Sequence, residues 1–376
     1  LNMSKLRSHR VLVTGANGFI GKNLIVRLLE KKNIEVLSFV RGDGASRLEE
    51  LIETTDMIFH LAGENRPTNT KDFTIGNPIL TRLVCDAIVK SKKNIPLIIT
   101  SSTQAKLSNP YGQSKLESEN IVEEYASKTG NSAAIYRLPG VFGKWCKPNY
   151  NSVVSTFCYN ISRDIPLKIN DPSVGLELIY IDDLIDIFIN AMDNIYDGFE
   201  FGKVSNTYNI NLGDLADIIS SFKNCRNSLV IERVGKGLHR ALYSTYISNL
   251  SPDNFSYSLP MHADDRGVFV EMLKTKDSGQ FSFFTAHPGI TRGEHYHHSK
   301  SEKFLVIKGH ASFNFRHILT NEKYTIKTKG EKAIIVETIP GWAHNITNEG
   351  TDEMVVMLWA NEVFDRDQPD TISNEV

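Results

Sequence analysis

Three glycines, Gly15, Gly18 and Gly21, stand between an apolar run at 10–14 and the segment KNLIVRLLEKK, whose apolar residues recur at helical spacing. This order of strand, glycine loop and helix constrains the fold more than any other feature of the chain. The glycines allow a tight turn, close approach of backbone to a pyrophosphate and close helix–strand packing, while the helix start supplies N–H donors and the positive end of a dipole. A nucleotide held along Gly15, Asn17, Gly18, Phe19, Ile20 and Gly21 is the expectation, because the loop follows a strand and opens a helix. Short β-branched runs at 35–40, 56–61, 97–101, 132–137 and 205–210 alternate with longer amphipathic stretches, and extend the unit to about residue 245 as a doubly wound parallel α/β sheet.

The second run ends in SFVRGD, where Arg41 takes the place of an acidic residue facing the adenine ribose. A guanidinium pairs with a 2′-phosphate, so NADPH is the expected cofactor; Asp43 nearby keeps NAD open. Tyr111 and Lys115 are four apart at the start of a predicted helix and project from one face. An ammonium beside a phenol is expected to lower the phenol pKa from about 10, letting it exchange a proton with a carbonyl oxygen. Ser101, Ser102 and Thr103 stand at the C-terminal strand edge, where open α/β sheets bind ligands and a hydroxyl can bond the same oxygen.

With TGANGFIG at 14–21, HLAG at 60–63, SSTQ at 101–104, the tyrosine–lysine pair, RLPGVFG at 137–143 and YIDD at 180–183, residues 9–245 resemble the extended short-chain dehydrogenase/reductase family. The resemblance implies a Rossmann-type fold and a catalytic triad of Ser102, Tyr111 and Lys115, with Ser101 and Thr103 as the other candidates for the hydroxyl. It also implies that Leu61, Ala62, Gly63, Leu138 and Pro139 line the cofactor together with Tyr111 and Lys115. Many members act on nucleotide sugars, which makes GKWCKPNYNS at 143–152 either a substrate contact or an ordinary loop.

After about residue 250 the texture changes to short alternating segments, GQFSFFTAH, EKFLVIKG, HASFNFRHI, KAIIVETI and EMVVMLWA, between glycines and polar turns. That is an all-β sandwich or barrel pattern. Two domains are expected, 1–247 and 248–376, with the aperiodic stretch 222–255 as their junction. Of 11 histidines, eight lie after residue 260. His295 and His297 share one strand face, Glu302 can return to it from the next strand, and PGWAHNI supplies His344. Three neutral imidazoles and a carboxylate suit one divalent first-row metal, zinc foremost, with manganese, iron and nickel open. The spacing is similar to both boxes of the cupin family, which implies a jelly-roll barrel with His295, His297, Glu302 and His344 as ligands. DDRGVFVE at 264–271 resembles a stretch of the cupin sugar 3,5-epimerases, and RGEH at 292–295 repeats the step that carries their base, so His295 is either a ligand or a free base.

The 42 basic and 44 acidic residues balance to a formal charge of -2, which speaks against a nucleic-acid or anionic-membrane partner. Four scattered cysteines without CxxC spacing, and no apolar run approaching ~18 residues, point to a reducing, cytoplasmic address. Over the whole length, NPYG, FGKWCKPNYNSV, LYSTY, KFLV and PGWAHNI resemble the bifunctional capsule-synthesis enzymes that fuse a reductase to a cupin. The resemblance implies a UDP-linked 4-keto amino sugar as substrate, C3 epimerisation in the cupin followed by NADPH-dependent reduction at C4, and a homodimer. The alternative is an NADPH-dependent sugar reductase whose cupin is a non-catalytic dimerising or sugar-sensing module.

Overall fold

The computed structural model describes residues 9–376 apart from 66–72, 74, 196, 299, 319 and 368. The chain forms two compact units, one comprising the chain to Ile219 with Ala241–Leu250, the other Ser220–Arg240 with Ser251–Val376.

In the first unit β1 (His9–Thr14), β2 (Ile34–Phe39), β3 (Met57–His60), β4 (Leu97–Ser102) and β5 (Ala133–Leu138) precede β6 (Gly140–Phe142), β7 (Gly175–Tyr180), β8 (Phe199–Phe201) and β9 (Thr207–Asn211). The helices are α1 (Phe19–Leu29), α2 (Ala45–Thr54), α3 (Leu80–Ser91), α4 (Pro110–Thr129), α5 (Val153–Ser162) and α6 (Ile181–Asp193), with α7 (Leu212–Ser228) and α8 (Gly237–Ser248) further along the chain. A six-stranded parallel sheet runs β2-β1-β3-β4-β5-β8. Its winding reverses between β1 and β3, which opens a crevice at the carboxyl ends of the strands.

Successive residues of β1 point to opposite faces. Leu12 packs with Ile58, Ile88 and Val122, whereas Val11 and Val13 pack with Leu24, Phe59 and Phe188. Because both faces are covered, these strands read as unbroken apolar runs. Truncating the fully buried Phe59 to alanine would cost ~3–5 kcal/mol. The expected strand at 205–210 exists as β9 but lies outside this sheet: it pairs antiparallel with β7 in a small sheet β6-β7-β9, and β8 takes the sixth parallel position. At three residues β8 is too short to display a period.

The start of α4 is set locally. Asn109 accepts the Gly112 N–H at 2.7 Å, Pro110 occupies the first turn, and Gly130, at φ 73, ends the helix.

The second unit holds β10 (Val230–Ile231), β11 (His262–Asp264), β12 (Gly267–Thr275), β13 (Gln280–Ala286), β14 (Thr291–Tyr296) and β15 (Glu302–Lys308). It continues with β16 (His310–His317), β17 (Lys323–Lys329), β18 (Ile335–Glu337), β19 (Trp342–Asn348), β20 (Met354–Ala360) and β21 (Ile372–Ser373). One sheet runs β10-β12-β13-β20-β15-β18, with β11 beside β12, and the other runs β17-β16-β19-β14-β21. Phe284, Phe304 and Val356 of the first meet Phe313, Phe315 and Ile346 of the second in one core, the Phe304 and Phe313 rings lying 5.7 Å apart. In place of a single cut at 247/248 the chain crosses between the units at 219/220, 240/241 and 250/251, in and beside the expected junction 222–255, which carries β10, paired with β12, and α8. Among the described residues no helix is long and apolar enough to cross a membrane.

Candidate active site and metal centre

The carboxyl ends of β1, β3, β4 and β5 bring the predicted residues of the first unit together. Gly15 sits at φ 70, and a Cβ there would lie 2.7 Å from the Ala62 backbone N; one at Gly21 would lie 2.3 Å from the Gly15 carbonyl. The protein's own backbone therefore demands these two glycines, before any ligand does. Gly18 caps α1 without a side-chain bond, and the first helical bond runs from Lys22 N–H to the Gly18 carbonyl. The N–H groups of Phe19, Ile20 and Gly21 thus lie outside the helical ladder at its positive end, with Asn17 exposed beside them.

The facing loop, Leu61 to Gly63, is held by a network that the sequence reading did not single out. Thr14 Oγ1 lies 2.7 Å from His60 Nδ1 and accepts the Ala62 N–H at 3.2 Å. His60 Nε2 lies 3.1 Å from Thr81 Oγ1, which donates its only proton to the Asn77 carbonyl at 2.8 Å. His60 must therefore donate from Nε2 and accept at Nδ1. Burial, aided by the Lys115 charge, pushes its pKa down to about 3, so the ring is neutral. Asn77 accepts the Glu64 N–H at 2.8 Å and donates to Ser114 Oγ at 3.0 Å, tying the loop to α4. HLAG, with His60 directly before the loop, was the available signal for this network.

Neighbouring hydroxyls on β4 part company. Ser101 Oγ donates to Glu119 Oε1 at 2.5 Å, and Arg137 binds both oxygens of that carboxylate at 2.9 and 2.6 Å. Ser102 is near enough to the Tyr111 phenol to draw its pKa down, and Thr103 is exposed. Leu138 pairs with Ser102 across the sheet, which brings the Leu138–Pro139 turn to the same edge. Lys115 Nζ lies 5.8 Å from the Tyr111 ring centroid, and a Cβ on Gly63 would lie 3.1 Å from it, so the ammonium reaches between phenol and loop.

Burial pushes the Lys115 pKa down to about 8 against the opposing charge of Glu119. The expected lowering of the phenol pKa by Lys115 does not hold here: burial pushes Tyr111 above its ordinary value, with Ser102 acting the other way. Desolvation outweighs an ammonium placed over the ring rather than at the phenol oxygen. The phenol donates to Asn65 Oδ1 at 3.1 Å, a partner that sequence reasoning missed.

Arg41 is 88% exposed and pairs with Glu64 at 2.5 Å. Asp43 accepts the Val40 N–H at 2.8 Å and so folds into its own turn. In the loop at 143–152, Trp145 and Asn149 are left-handed at φ 67 and 54, the Lys144 carbonyl accepts from Asn23 of α1 at 3.3 Å, and the Lys144 ammonium pairs with Asp182.

In the second unit His295 on β14 and His344 on β19 are direct cross-strand partners, their ring centroids 4.6 Å apart. His297 follows β14, and Glu302 opens β15 in the facing sheet. One ligand atom from each of the four lies within 4.8 Å of all the others. His297 Nδ1 bonds the Asp370 carbonyl and His344 Nδ1 the Trp342 carbonyl at 3.3 Å. A carbonyl only accepts, so both rings carry their proton on Nδ1 and turn Nε2 lone pairs toward Glu302 Oε2, at 3.3 and 3.6 Å. His344 Nε2 is buried without a hydrogen-bond partner. Acceptors crowded on acceptors fit a cation, and the donor set fits a divalent metal.

Burial pushes His295 down to about 4. For Glu302 burial acts upward, but the Lys300 ammonium, 2.9 Å away, acts against it, and the carboxyl is held well below the usual carboxylate range. His298 is exposed and His317 meets the Trp342 ring edge-on, with centroids 5.0 Å apart, both outside the cluster.

Residues 11–211 match the NAD dependent epimerase/dehydratase family, and residues 262–372 match the polysaccharide biosynthesis C-terminal domain. The chain belongs to the NAD dependent epimerase/dehydratase family. This family member is 57% identical over 367 residues to the UDP-2-acetamido-2,6-beta-L-arabino-hexul-4-ose reductase of Pseudomonas aeruginosa, covering 98% of this chain and 99% of that one. Its C-terminal part is 28% identical over 126 residues to the spore coat polysaccharide biosynthesis protein SpsL of Bacillus subtilis, covering 30% of this chain and 81% of that one. Among solved structures, the capsular polysaccharide assembling protein CapF of Staphylococcus aureus superposes with a TM-score of 0.90 at 41% identity, over 97% of this epimerase/dehydratase chain and 100% of that one. The likeness to CapF covers both units, which share its parallel α/β sheet followed by an all-β region.

Proposed function

We propose that this chain makes UDP-2-acetamido-2,6-dideoxy-L-talose from a UDP-2-acetamido-2,6-dideoxy-4-keto-hexose, on the route to UDP-N-acetyl-L-fucosamine for capsule or O-antigen. The second unit epimerises C3 and the first then reduces the C4 ketone with NADPH. The observation that carries this reading is the convergence of Ser102, Tyr111 and Lys115 beside the Leu61–Gly63 loop, in a chain aligned end to end with a UDP-4-ulose reductase.

Ser102 and Tyr111 hold the ketone oxygen by hydrogen bonds. Tyr111 gives its proton to that oxygen as charge develops there, and its raised pKa keeps the proton in place until then. The Lys115 ammonium, largely removed from water, stabilises the phenolate left behind. NADPH, held along Gly15–Gly21 and Leu61–Gly63, would supply the hydride to C4. Arg41 exchanges Glu64 for the 2′-phosphate.

A C4 ketone acidifies the hydrogen at C3, so epimerisation must come first; reduction then removes the ketone and freezes the new configuration. His295, His297, Glu302 and His344 would hold a divalent cation, zinc suiting a set of three nitrogens and one oxygen, and its charge would supply Lewis-acid stabilisation of the enolate. In this reading His295 is a ligand and not the free base.

The test supplies the purified keto sugar with NADPH and follows cofactor oxidation, with C3 exchange in heavy water read by NMR. Oxidation together with exchange supports the proposal. No oxidation overturns it, and reduction without C3 exchange leaves the second unit a non-catalytic module.

A further inference from the structure

The segment Asp370–Val376 lies along the strand and loop that carry His295 and His297. Its β21 pairs antiparallel with β14, Ser373 opposite His295 and Ile372 opposite Tyr296. Asn374 N–H donates to the Glu294 carbonyl at 2.9 Å, and Val376 N–H donates to Glu294 Oε2 at 3.0 Å. Glu294 stands at φ 59, where the β14–β19 register breaks between Gly293 and His295. A non-glycine residue keeps a left-handed backbone only where its surroundings over-determine it, and such a bulge re-aims the next side chain, here His295.

At the other end of the segment, Asp370 bonds three places in the loop. Its carbonyl accepts from His297 Nδ1, Oδ1 accepts the His298 N–H at 2.8 Å, and Oδ2 accepts the Lys300 N–H at 2.8 Å. Arg316 on β16 fastens the segment from outside, bonding the Asn374 side chain and, through Nε, the Glu375 carbonyl at 3.0 Å.

We propose that Asp370–Val376 is a strap that positions two metal ligands, with Asp370 as the positioning residue that sets the tautomer and orientation of His297. The proposal rests on the reading of His295, His297, Glu302 and His344 as a metal site. Outer partners of this kind fix which ring nitrogen faces the ion, and their loss characteristically weakens metal binding 10- to 100-fold while every ligand remains.

The experiment titrates the metal-stripped full chain with Zn2+ and Co2+ against a competing chelator, for wild type, Asp370→Ala, Arg316→Ala and, as a ligand control, His297→Ala. Asp370→Ala and Arg316→Ala are expected to bind roughly 10- to 100-fold more weakly and to change the Co2+ visible spectrum, with the metal-free melting temperature unchanged. Should Asp370→Ala melt early, Arg316→Ala, which leaves Asp370 and the backbone intact, decides alone. Wild-type affinity in both variants overturns the strap while the metal site stands. Failure of wild type to bind either ion overturns the metal site and the strap with it.

Discussion

The hydroxyl of Ser101 donates to the buried carboxylate of Glu119 at 2.5 Å. That bond commits Ser101 to the junction of β4, α4 and β5, because Glu119 also receives two bonds from Arg137. It leaves Ser102, on the other side of the strand, as the hydroxyl beside Tyr111. Glu119 lies one helical turn from Lys115, so the same carboxylate backs the ammonium of the proposed triad.

Replacing Tyr111 with phenylalanine removes the proton donor and keeps the ring. NADPH oxidation on the keto sugar should fall by ~10^2- to 10^4-fold. C3 deuterium exchange, assigned to the other unit, should continue at the wild-type rate. Equal loss of both activities would refute the division of labour.

The pH profile should report Lys115. Its pKa is pushed down to about 8, and the active form is the ammonium, so kcat/KM for reduction should fall as pH rises through about 8. Glu119→Gln removes the charge that holds this value up and should shift the alkaline limb to lower pH. A limb that stays in place in that variant would disconnect Glu119 from Lys115.

His60 makes a stability prediction with a defined sign. Its pKa falls from the ordinary 6.5 to about 3 on folding, so below pH 6.5 the unfolded chain takes up a proton that the folded chain cannot. The stabilisation is complete above pH 6.5 and is lost as pH falls toward about 3, by about 1.4 kcal/mol per pH unit. Unfolding free energies from urea titrations at pH 7 and pH 5 should therefore differ by ~2 kcal/mol more in wild type than in His60→Gln.

Arg41→Ala should raise the KM for NADPH roughly 10- to 100-fold, the equivalent of one lost charge-assisted contact, and leave the KM for NADH nearly unchanged. Glu64→Gln frees Arg41 from its 2.5 Å partner and should move the NADPH value the opposite way. Steady-state kinetics with both cofactors checks the pair.

Glu302→Gln keeps the shape of the cluster and removes its carboxylate charge. Metal analysis of the purified variant should show the ion lost, together with C3 exchange, while NADPH binding measured by calorimetry is retained. Retained exchange in a metal-free variant would separate the epimerase chemistry from the four-residue cluster.

What the sequence determined by itself is local or periodic. A glycine triplet between a strand and a helix, a tyrosine and lysine one turn apart, and two histidines on one strand face with a glutamate and a later histidine each carry their geometry in their spacing. The parallel α/β sheet up to its fifth strand and the four clustered ligands follow from such signals, as does the gathering of Ser102, Tyr111 and Lys115 at one sheet edge. Tertiary structure alone decided which of two adjacent serines faces the phenol, because that depends on a carboxylate 18 residues away. It also decided that the phenol pKa rises, since desolvation is a property of everything packed around a group. The strand at 205–210 left the parallel sheet, and 220–240 joined the second unit, through pairings with partners distant in the chain. Asp370 reaches His297 across 73 positions, and only the folded chain brings so remote a carbonyl to an imidazole that must keep its proton on Nδ1.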